Sequence, residues 1–153
     1  MSYVTEHTVW PDFTLEQPIK DLIARLYQIA DTNEPNSGAR LSTEVFTDDG
    51  SMITSAKTVT GREAIERSRD DAWDLVSERR HHVLRVYCRE NNGRDLMLTG
   101  RVKVALRDGN VLESEFAAHL IVDSESCEMG KARFSMVQVF VDTAPLAAAL
   151  KAQ

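Results

Sequence analysis

The sequence has 153 residues, of which 42% are hydrophobic and 27% are charged, and its formal net charge is −6 at pH 7. A chain of this length can bury a core without disulfides or a structural metal, and no apolar run approaches the length of a membrane span. The acidic balance argues against the broad basic surface that nucleic acids require. We therefore expect a single domain over 1–153, with neither a membrane segment nor a nucleic-acid partner.

The N-terminal residues and the two cysteines bear on the compartment. Residues 1–13 contain neither the basic nor the apolar region of a secretory signal, which predicts a cytoplasmic protein. Cys88 and Cys127 have neither a C-x-x-C spacing nor a histidine at metal-ligand spacing, so we expect free thiols and no metal site. No phosphate-binding loop or nucleophile elbow occurs, which predicts chemistry without a cofactor.

An N-terminal arm and a first helix begin the chain. Trp10 and Phe13 are too large and apolar to remain in solvent, so the arm at 1–14 should pack on the body or on a partner subunit, where it could act as a lid. Residues 14–17 have the pattern of a capping box, and apolar side chains then recur at helical spacing. This pattern predicts a helix over about 15–32.

Two further helices and a short strand are predicted next. A helix over about 39–46 leads to a turn at 48–50 and a strand over 51–56. A second capping-box pattern at 60–63 opens a helix that we expect to end near residue 76.

The remaining chain has the period of β-strands. Alternation predicts strands over about 81–89, 95–107, 111–123 and 132–142, and a short helix over 143–153. Two helices, a strand, a third helix and a meander together predict a cone-shaped α+β domain that encloses one pocket.

Basic residues are concentrated in the predicted meander. Eight of the 18 lie in the 29 residues from Arg79 to Arg107. On strands these side chains divide between two faces. They either form solvated edges and inter-strand ion pairs, or hold an anion inside the pocket.

Six short motifs accompany this order of elements: LYQIAD at 26–31, VFTDDGSM at 45–52, TGREAI at 60–65, HHV at 81–83, LRDGN at 106–110 and VFVDTAPL at 139–146. With these motifs the chain resembles the nuclear transport factor 2-like (NTF2-like) superfamily, and within it the SnoaL-like branch of cyclases, isomerases and dehydratases. The resemblance covers roughly 15–142 and implies three N-terminal helices packed on a curved, mostly antiparallel sheet, a cone-shaped α+β barrel.

The resemblance also implies site residues. In scytalone dehydratase-like members, an acid near the end of helix 1 and a histidine after the third helix share the pocket, and Asp31 and His82 match these positions. The second histidine of that family is replaced by the residues at 105–107. Limonene epoxide hydrolase-like members pair an arginine with an aspartate two residues later, whereas Arg101 is followed here by Lys103, which disfavours epoxide hydrolysis.

Asp31 and His82 are therefore the predicted proton-transfer pair. A carboxylate beside a histidine fixes its tautomer and raises its basicity. His81 and His82 are consecutive on a strand, so at most one of them faces the pocket, and the resemblance favours His82. The alternative is a histidine that only caps a helix or bonds a backbone carbonyl.

Four more residues are candidates for the site. Tyr27 shares a helix face with Asp31 and could donate to a substrate oxygen, or could be a core residue with a hydrated tip. Arg101 could polarise a substrate carbonyl or bridge Glu115 on the next strand. Glu115 and His119 would form a second acid–base pair if their face pointed inward, and part of a dimer interface if it pointed outward.

Together these residues predict a cofactor-independent lyase, isomerase or cyclase. It would use general acid–base catalysis on a small, largely apolar, oxygenated metabolite, such as a polyketide or terpenoid intermediate. The alternatives are a non-catalytic small-molecule-binding or dimerisation module of the same fold and, third, a transport adaptor. A homodimer through the sheet face is expected in each case, because the outer face needs covering.

Overall fold

The computed structural model of the protein describes residues 2–152. No helix among these residues is long and apolar enough to cross a membrane. The helices are α1 (Gln17–Ala30), α2 (Ser37–Arg40), which continues into a π-helical turn (Leu41–Val45), α3 (Arg62–Arg67), α4 (Ser124–Glu128) and α5 (Ala144–Lys151). The strands are β1 (Phe46–Ile53), β2 (Thr58–Thr60), β3 (Val76–Cys88), β4 (Asp95–Leu106), β5 (Val111–Val122) and β6 (Phe134–Val141).

The six strands form one curved sheet in the order β2-β1-β6-β5-β4-β3. β1 and β6 pair in parallel, and every other neighbouring pair is antiparallel. The predicted fold class is confirmed: N-terminal helices pack on a mostly antiparallel sheet, which curves without closing into a barrel.

Helix α1 is the main cover of the concave face. Its apolar residues recur at three and four positions, and Ile19, Leu22 and Ile23 are fully buried in one core cluster with strand residues such as Leu98. Each such side chain contributes about 1.5–3 kcal/mol by leaving water. The predicted capping box does not form, because the N-cap is Glu16 and no side chain caps the first turn.

The third helix is much shorter than predicted. It ends at Arg67, and the segment that follows makes successive turns with backbone bonds from residue i to i−3 up to Asp74. Within the predicted helix range, Ile65 lies in the core, but Leu75 is exposed and Val76 begins β3. A helix with one buried side chain has little tertiary packing to extend it.

The region around Gly50 also differs from its prediction. Residues 48–50, expected to be a turn, lie inside β1, and the pairing of β1 with β6 shifts between Phe46 and Ser51. A Cβ at Gly50 would lie 3.0 Å from the Phe46 ring, so glycine suits this bulge. Strand β2 was not predicted at all.

The N-terminal arm packs on the body along β3. Val4 is buried, its carbonyl accepts from the Val83 amide at 2.8 Å, and Val9 makes an isolated parallel bridge to Arg85. The arm therefore covers the edge of the sheet that β3 would otherwise expose.

Candidate active site

The concave face of the sheet and the C-terminal half of α1 enclose a cavity of about 390 Å³. Its walls are mostly apolar. Leu26, Leu41, Val102, Phe116, Val137 and Val139 form them. Thr54, Ser55, Lys57, Tyr27, Arg69, Arg79 and His81 add polar groups. Apolar walls with a few converging polar groups are typical of a small-molecule site.

A His–Asp pair lies at this cavity. The ring Nδ1 of His81 is 2.5 Å from Oδ1 of Asp31, and the His81 backbone N–H donates to Oδ2 at 2.8 Å. The hydroxyl of Tyr3 donates to the same Oδ2 at 2.7 Å. The Asp31 side chain is only 4% exposed, so these three donors replace its hydration.

This arrangement assigns the histidine tautomer. An ionised carboxylate is only an acceptor, so Nδ1 of His81 carries the proton that it shares with Asp31. The neutral ring then has its lone pair on Nε2. Within residues 2–152 no group hydrogen-bonds to that nitrogen. His81 can therefore accept a proton from a molecule in the cavity.

Aromatic contacts hold the His81 ring in place. The Tyr27 ring lies 4.9 Å away between centroids, and the Phe116 ring meets it edge to face at 5.4 Å. Gly100 on the neighbouring strand leaves room for Phe116, because a Cβ there would overlap Cζ of the ring and lie 2.6 Å from Cε1. The base is thus oriented by packing as well as by Asp31.

The prediction that His82 shares the pocket with Asp31 is wrong. Strand register decides the point: His81 is opposite Val102 in the row that lines the cavity, whereas His82 is opposite Arg101 on the other face. Nδ1 of His82 lies 3.1 Å from the carbonyl oxygen of Tyr3, in contact with the arm.

Three other candidates lie on the convex face of the sheet, outside the cavity. Arg101 is half-exposed and pairs with Glu113 at 3.3 Å and Glu115 at 3.7 Å. Nε2 of His119 lies 2.7 Å from Oδ1 of Asp95. Pocket roles for Arg101, Glu115 and His119 are therefore wrong. The physical reason is that side chains alternate along a strand. Phe116 of β5 faces inward, so Glu115 and His119 of β5 face outward, and Arg101 of β4 is directly opposite Glu115. Arg101 bridges Glu115, as its alternative proposed, whereas a dimer interface at Glu115 and His119 stays a prediction.

Tyr27 does face the cavity, as the helical spacing predicts. Its hydroxyl is buried and has no hydrogen-bond partner in residues 2–152. Burial, with the charge of Asp31 as a second cause, raises the pKa of Tyr27 well above its usual range. Tyr27 therefore remains a neutral hydrogen-bond donor at physiological pH.

Two arginines line the cavity but were not among the predicted catalytic residues, although Arg79 belongs to the basic set noted in the meander. Arg69 donates to the Ala30 carbonyl at 3.0 Å, and Arg79 donates to the Ala72 carbonyl at 3.0 Å while its guanidinium lies 4.8 Å from the Trp73 ring centroid. Burial lowers the pKa of Arg79 to about 10 and lowers that of Arg69 as well.

The sequence contained a signal for only one of these arginines. Arg79 is two positions from His81 on one strand, so the two share a face. Arg69 lies in the turns that replace the predicted helix, and Tyr3 lies in the arm, so neither had a periodic signal. Among residues 2–152, no three His, Cys, Asp or Glu side chains are grouped so that they could hold a metal ion.

Comparison with known proteins gives structural relatives. No protein-family model matches the sequence, and no curated protein matches it. A candidate SnoaL-like polyketide cyclase from Jannaschia sp. CCS1 has a TM-score of 0.68 at 14% identity, covering 94% of this chain and 99% of that one. An NTF2-like protein of unknown function from Exiguobacterium sp. 255-15 has a TM-score of 0.62 at 14% identity, covering 79% and 98%. This protein has the NTF2-like fold.

A third solved structure with the NTF2-like fold is an enzyme by name. It is a type 2 hexachlorocyclohexane dehydrochlorinase, with a TM-score of 0.60 at 17% identity, covering 82% of this chain and 83% of that one. At these identities the likeness is one of fold, which confirms the predicted resemblance at that level. NTF2-like folds carry both enzymes and proteins of unknown function, so the activity must be argued from the cavity.

Proposed function

We propose that this protein is a cofactor-independent enzyme, a lyase, isomerase or cyclase, in which His81 is the general base and Asp31 orients it. The observation that carries the proposal is the 2.5 Å contact between His81 Nδ1 and Asp31 Oδ1 at the wall of an apolar cavity. A base of this kind contributes about 10²- to 10⁴-fold to a proton transfer.

The proposed reaction begins at a carbon next to a carbonyl group. Nε2 of His81 takes the proton, the C–H electron pair moves into an enolate, and Asp31 stabilises the imidazolium that results. Lys57 and Arg79, which also line the cavity, supply positive charge that stabilises the enolate oxygen. Return of the proton at another atom completes an isomerisation. In an elimination, the leaving group departs and the proton passes from the imidazolium to it or to water. In a cyclisation, the enolate carbon attacks a second carbonyl carbon and the new alkoxide takes the proton back from the imidazolium.

The cavity supports a small and largely apolar substrate. Its volume of about 390 Å³ suits a molecule of one to three rings, and its walls are aliphatic and aromatic. A polyketide or terpenoid intermediate has this character, and a structural neighbour is named as a candidate polyketide cyclase. A cytoplasmic location is part of the same proposal.

Solvent exchange tests the proposal without knowledge of the final product. A panel of cyclic ketones and enones is incubated with the protein in D₂O, and deuterium incorporation next to the carbonyl is followed by NMR. We expect exchange that falls by about 10²-fold or more in His81→Gln and is retained in His82→Gln, the matched neighbour on the opposite face. Equal exchange in both variants contradicts the proposal and favours a binding module.

We also propose that the protein forms a homodimer through the convex face of the sheet. Tyr87, Met97 and Phe140 on this face are each exposed by 40% or more. Tyr87 is directly opposite Met97, and Met97 is opposite His119. Phe140 lies in the neighbouring row, opposite Ala117. Exposed apolar side chains on β3, β4 and β6 of one sheet face support a self-complementary contact.

A further inference from the structure

We infer that the cavity binds an anionic substrate, a molecule with a carboxylate on an apolar ring or chain, and that Arg69 and Tyr27 hold this carboxylate. The inference rests on the proposed function for the place of the site, and it adds the chemical class of the substrate. Four observations support it independently of any turnover.

The first observation is the sign of the charge on the residues that line the cavity. Lys57, Arg69 and Arg79 line the cavity, and no aspartate or glutamate is among its lining residues. The whole chain has six more acidic than basic residues. A cavity whose charged lining residues are all basic is therefore not what the overall composition would give. A concave site of one sign raises the local concentration of ligands of the opposite sign.

The second observation is that the two inner arginines lack ion-pair partners. Within residues 2–152 neither Arg69 nor Arg79 forms a salt bridge, and their only protein acceptors are the backbone carbonyls of Ala30 and Ala72. Burial is the main cause that lowers the pKa of both guanidinium groups. A buried cation without a counter-ion is costly unless a ligand supplies one.

The third observation concerns Asp31, the buried carboxylate nearest to this charge. Its oxygens already accept from the Tyr3 hydroxyl and from the backbone N–H and ring Nδ1 of His81. Asp31 makes no salt bridge to Arg69 or Arg79 among residues 2–152. Its oxygens are therefore occupied by other donors, and they leave the donors of both guanidinium groups to other acceptors.

The fourth observation is a pair of unused donors. Nε of Arg69 and the hydroxyl of Tyr27 are buried, and no group in residues 2–152 hydrogen-bonds to either. Both residues line the same cavity. Buried donors normally have acceptors, and two donors beside a positive charge suit the two oxygens of a carboxylate better than a single neutral carbonyl oxygen. The apolar walls then enclose the rest of the molecule.

Calorimetric titration with two probes of one shape tests the inference. Cyclohexanecarboxylate carries the charge, and cyclohexanecarboxamide is its neutral counterpart. We expect the wild-type protein to bind the carboxylate at least about tenfold more tightly than the amide. Arg69→Gln should remove this preference. Arg67→Gln should retain it, since Arg67 lies two positions away with a side chain that is 72% exposed.

Tyr27→Phe provides a second test that does not depend on the Arg69 variant being folded. It removes only an unpartnered hydroxyl, so the protein should stay folded while carboxylate affinity falls several-fold. Equal affinity for both probes, no carboxylate binding, or an unchanged preference in both Arg69→Gln and Tyr27→Phe would each overturn the inference. A carboxylate preference that persists in His81→Gln supports it even if deuterium exchange shows that the proposed catalysis fails.

Discussion

Asp31 accepts two hydrogen bonds from one residue, the backbone N–H and the ring Nδ1 of His81. The contact joins the C-cap of α1 to the middle of β3. The element that encloses the cavity therefore also orients its base. The hydroxyl of Tyr3 adds a third bond from the arm, so three separate segments determine the position of one carboxylate.

Replacing Asp31 should cost much more stability than replacing the other aspartate that pairs with a histidine. Asp31→Asn places an amide N–H₂ among donors in a buried site, and we expect a loss of about 3 kcal/mol in the free energy of unfolding. Asp95→Asn affects the half-exposed pair with His119, where about 1 kcal/mol or less is expected. Urea denaturation at neutral pH measures both. Equal losses in the free energy of unfolding would show that the Asp31 contacts stabilise the protein no more than the Asp95–His119 pair does.

Adding a methyl group at Gly100 should displace Phe116. A Cβ there would lie 2.6 Å from Cε1 of Phe116 and 2.8 Å from the carbonyl oxygen of His82. We expect Gly100→Ala to lower the free energy of unfolding by about 1–3 kcal/mol and to slow the proposed exchange reaction, because Phe116 packs against His81. Thr99→Ala, an exposed change on the same strand, should stay within about 0.5 kcal/mol. A wild-type melting curve for Gly100→Ala would disprove this account of the packing.

Tyr27→Phe should make the protein less sensitive to alkali. Burial raises the pKa of Tyr27 above its unfolded value of 10.0, so above that pH the unfolded state loses a proton that the folded state keeps. The contribution of this group to the free energy of unfolding is fully present below pH 10 and decreases as the pH rises above that value. We expect the variant to match or exceed the wild type at pH 8, where an unpartnered hydroxyl is removed.

The difference should grow in favour of Tyr27→Phe between about pH 10 and pH 11. Urea denaturation at each pH gives the free energies. Tyr3→Phe is the comparison, because burial and the hydrogen bond to Asp31 also raise the pKa of Tyr3. Unlike Tyr27→Phe, this change removes a hydroxyl that donates a hydrogen bond to Asp31. A pH profile of Tyr27→Phe parallel to the wild type would contradict the assignment.

Phe140→Glu should convert the proposed dimer into a monomer. Phe140 is on the convex face, opposite Ala117 of β5, and is 49% exposed. A charge in the centre of an apolar contact costs several kcal/mol of association, which is about 10²-fold or more in the dimer dissociation constant. Light scattering across a concentration series measures the state. Leu146→Glu, an exposed apolar residue on α5, is the control and should leave the mass unchanged.

Most elements of the fold could be predicted because their signals are local. The three–four spacing of α1 and the alternation of β4 and β5 indicate their buried faces, and their observed bounds lie within a few residues of the expected ones. Gly109 has φ +93°, which suits the tight hairpin between those strands. The third helix was over-extended because Val76 belongs to the buried pattern of a strand.

Only part of the candidate site had a local signal. Tyr27 and Asp31 share a helix face, so helical spacing alone places them together. Arg69 and Tyr3 both lie in turns, one after α3 and one in the N-terminal arm, where no period relates side-chain direction to sequence position. Their contribution depends on contacts with residues more than 25 positions away in the chain.

The sequence by itself determined the order of the elements, the amphipathic face of α1 and the two rows of side chains on each strand, because these follow from backbone periods of 3.6 and 2. Only the tertiary structure decided which row of β3 faces the cavity. A shift of one residue in register moves every side chain of a strand to the opposite face. Pairing with β4 places His81, and not His82, beside Asp31.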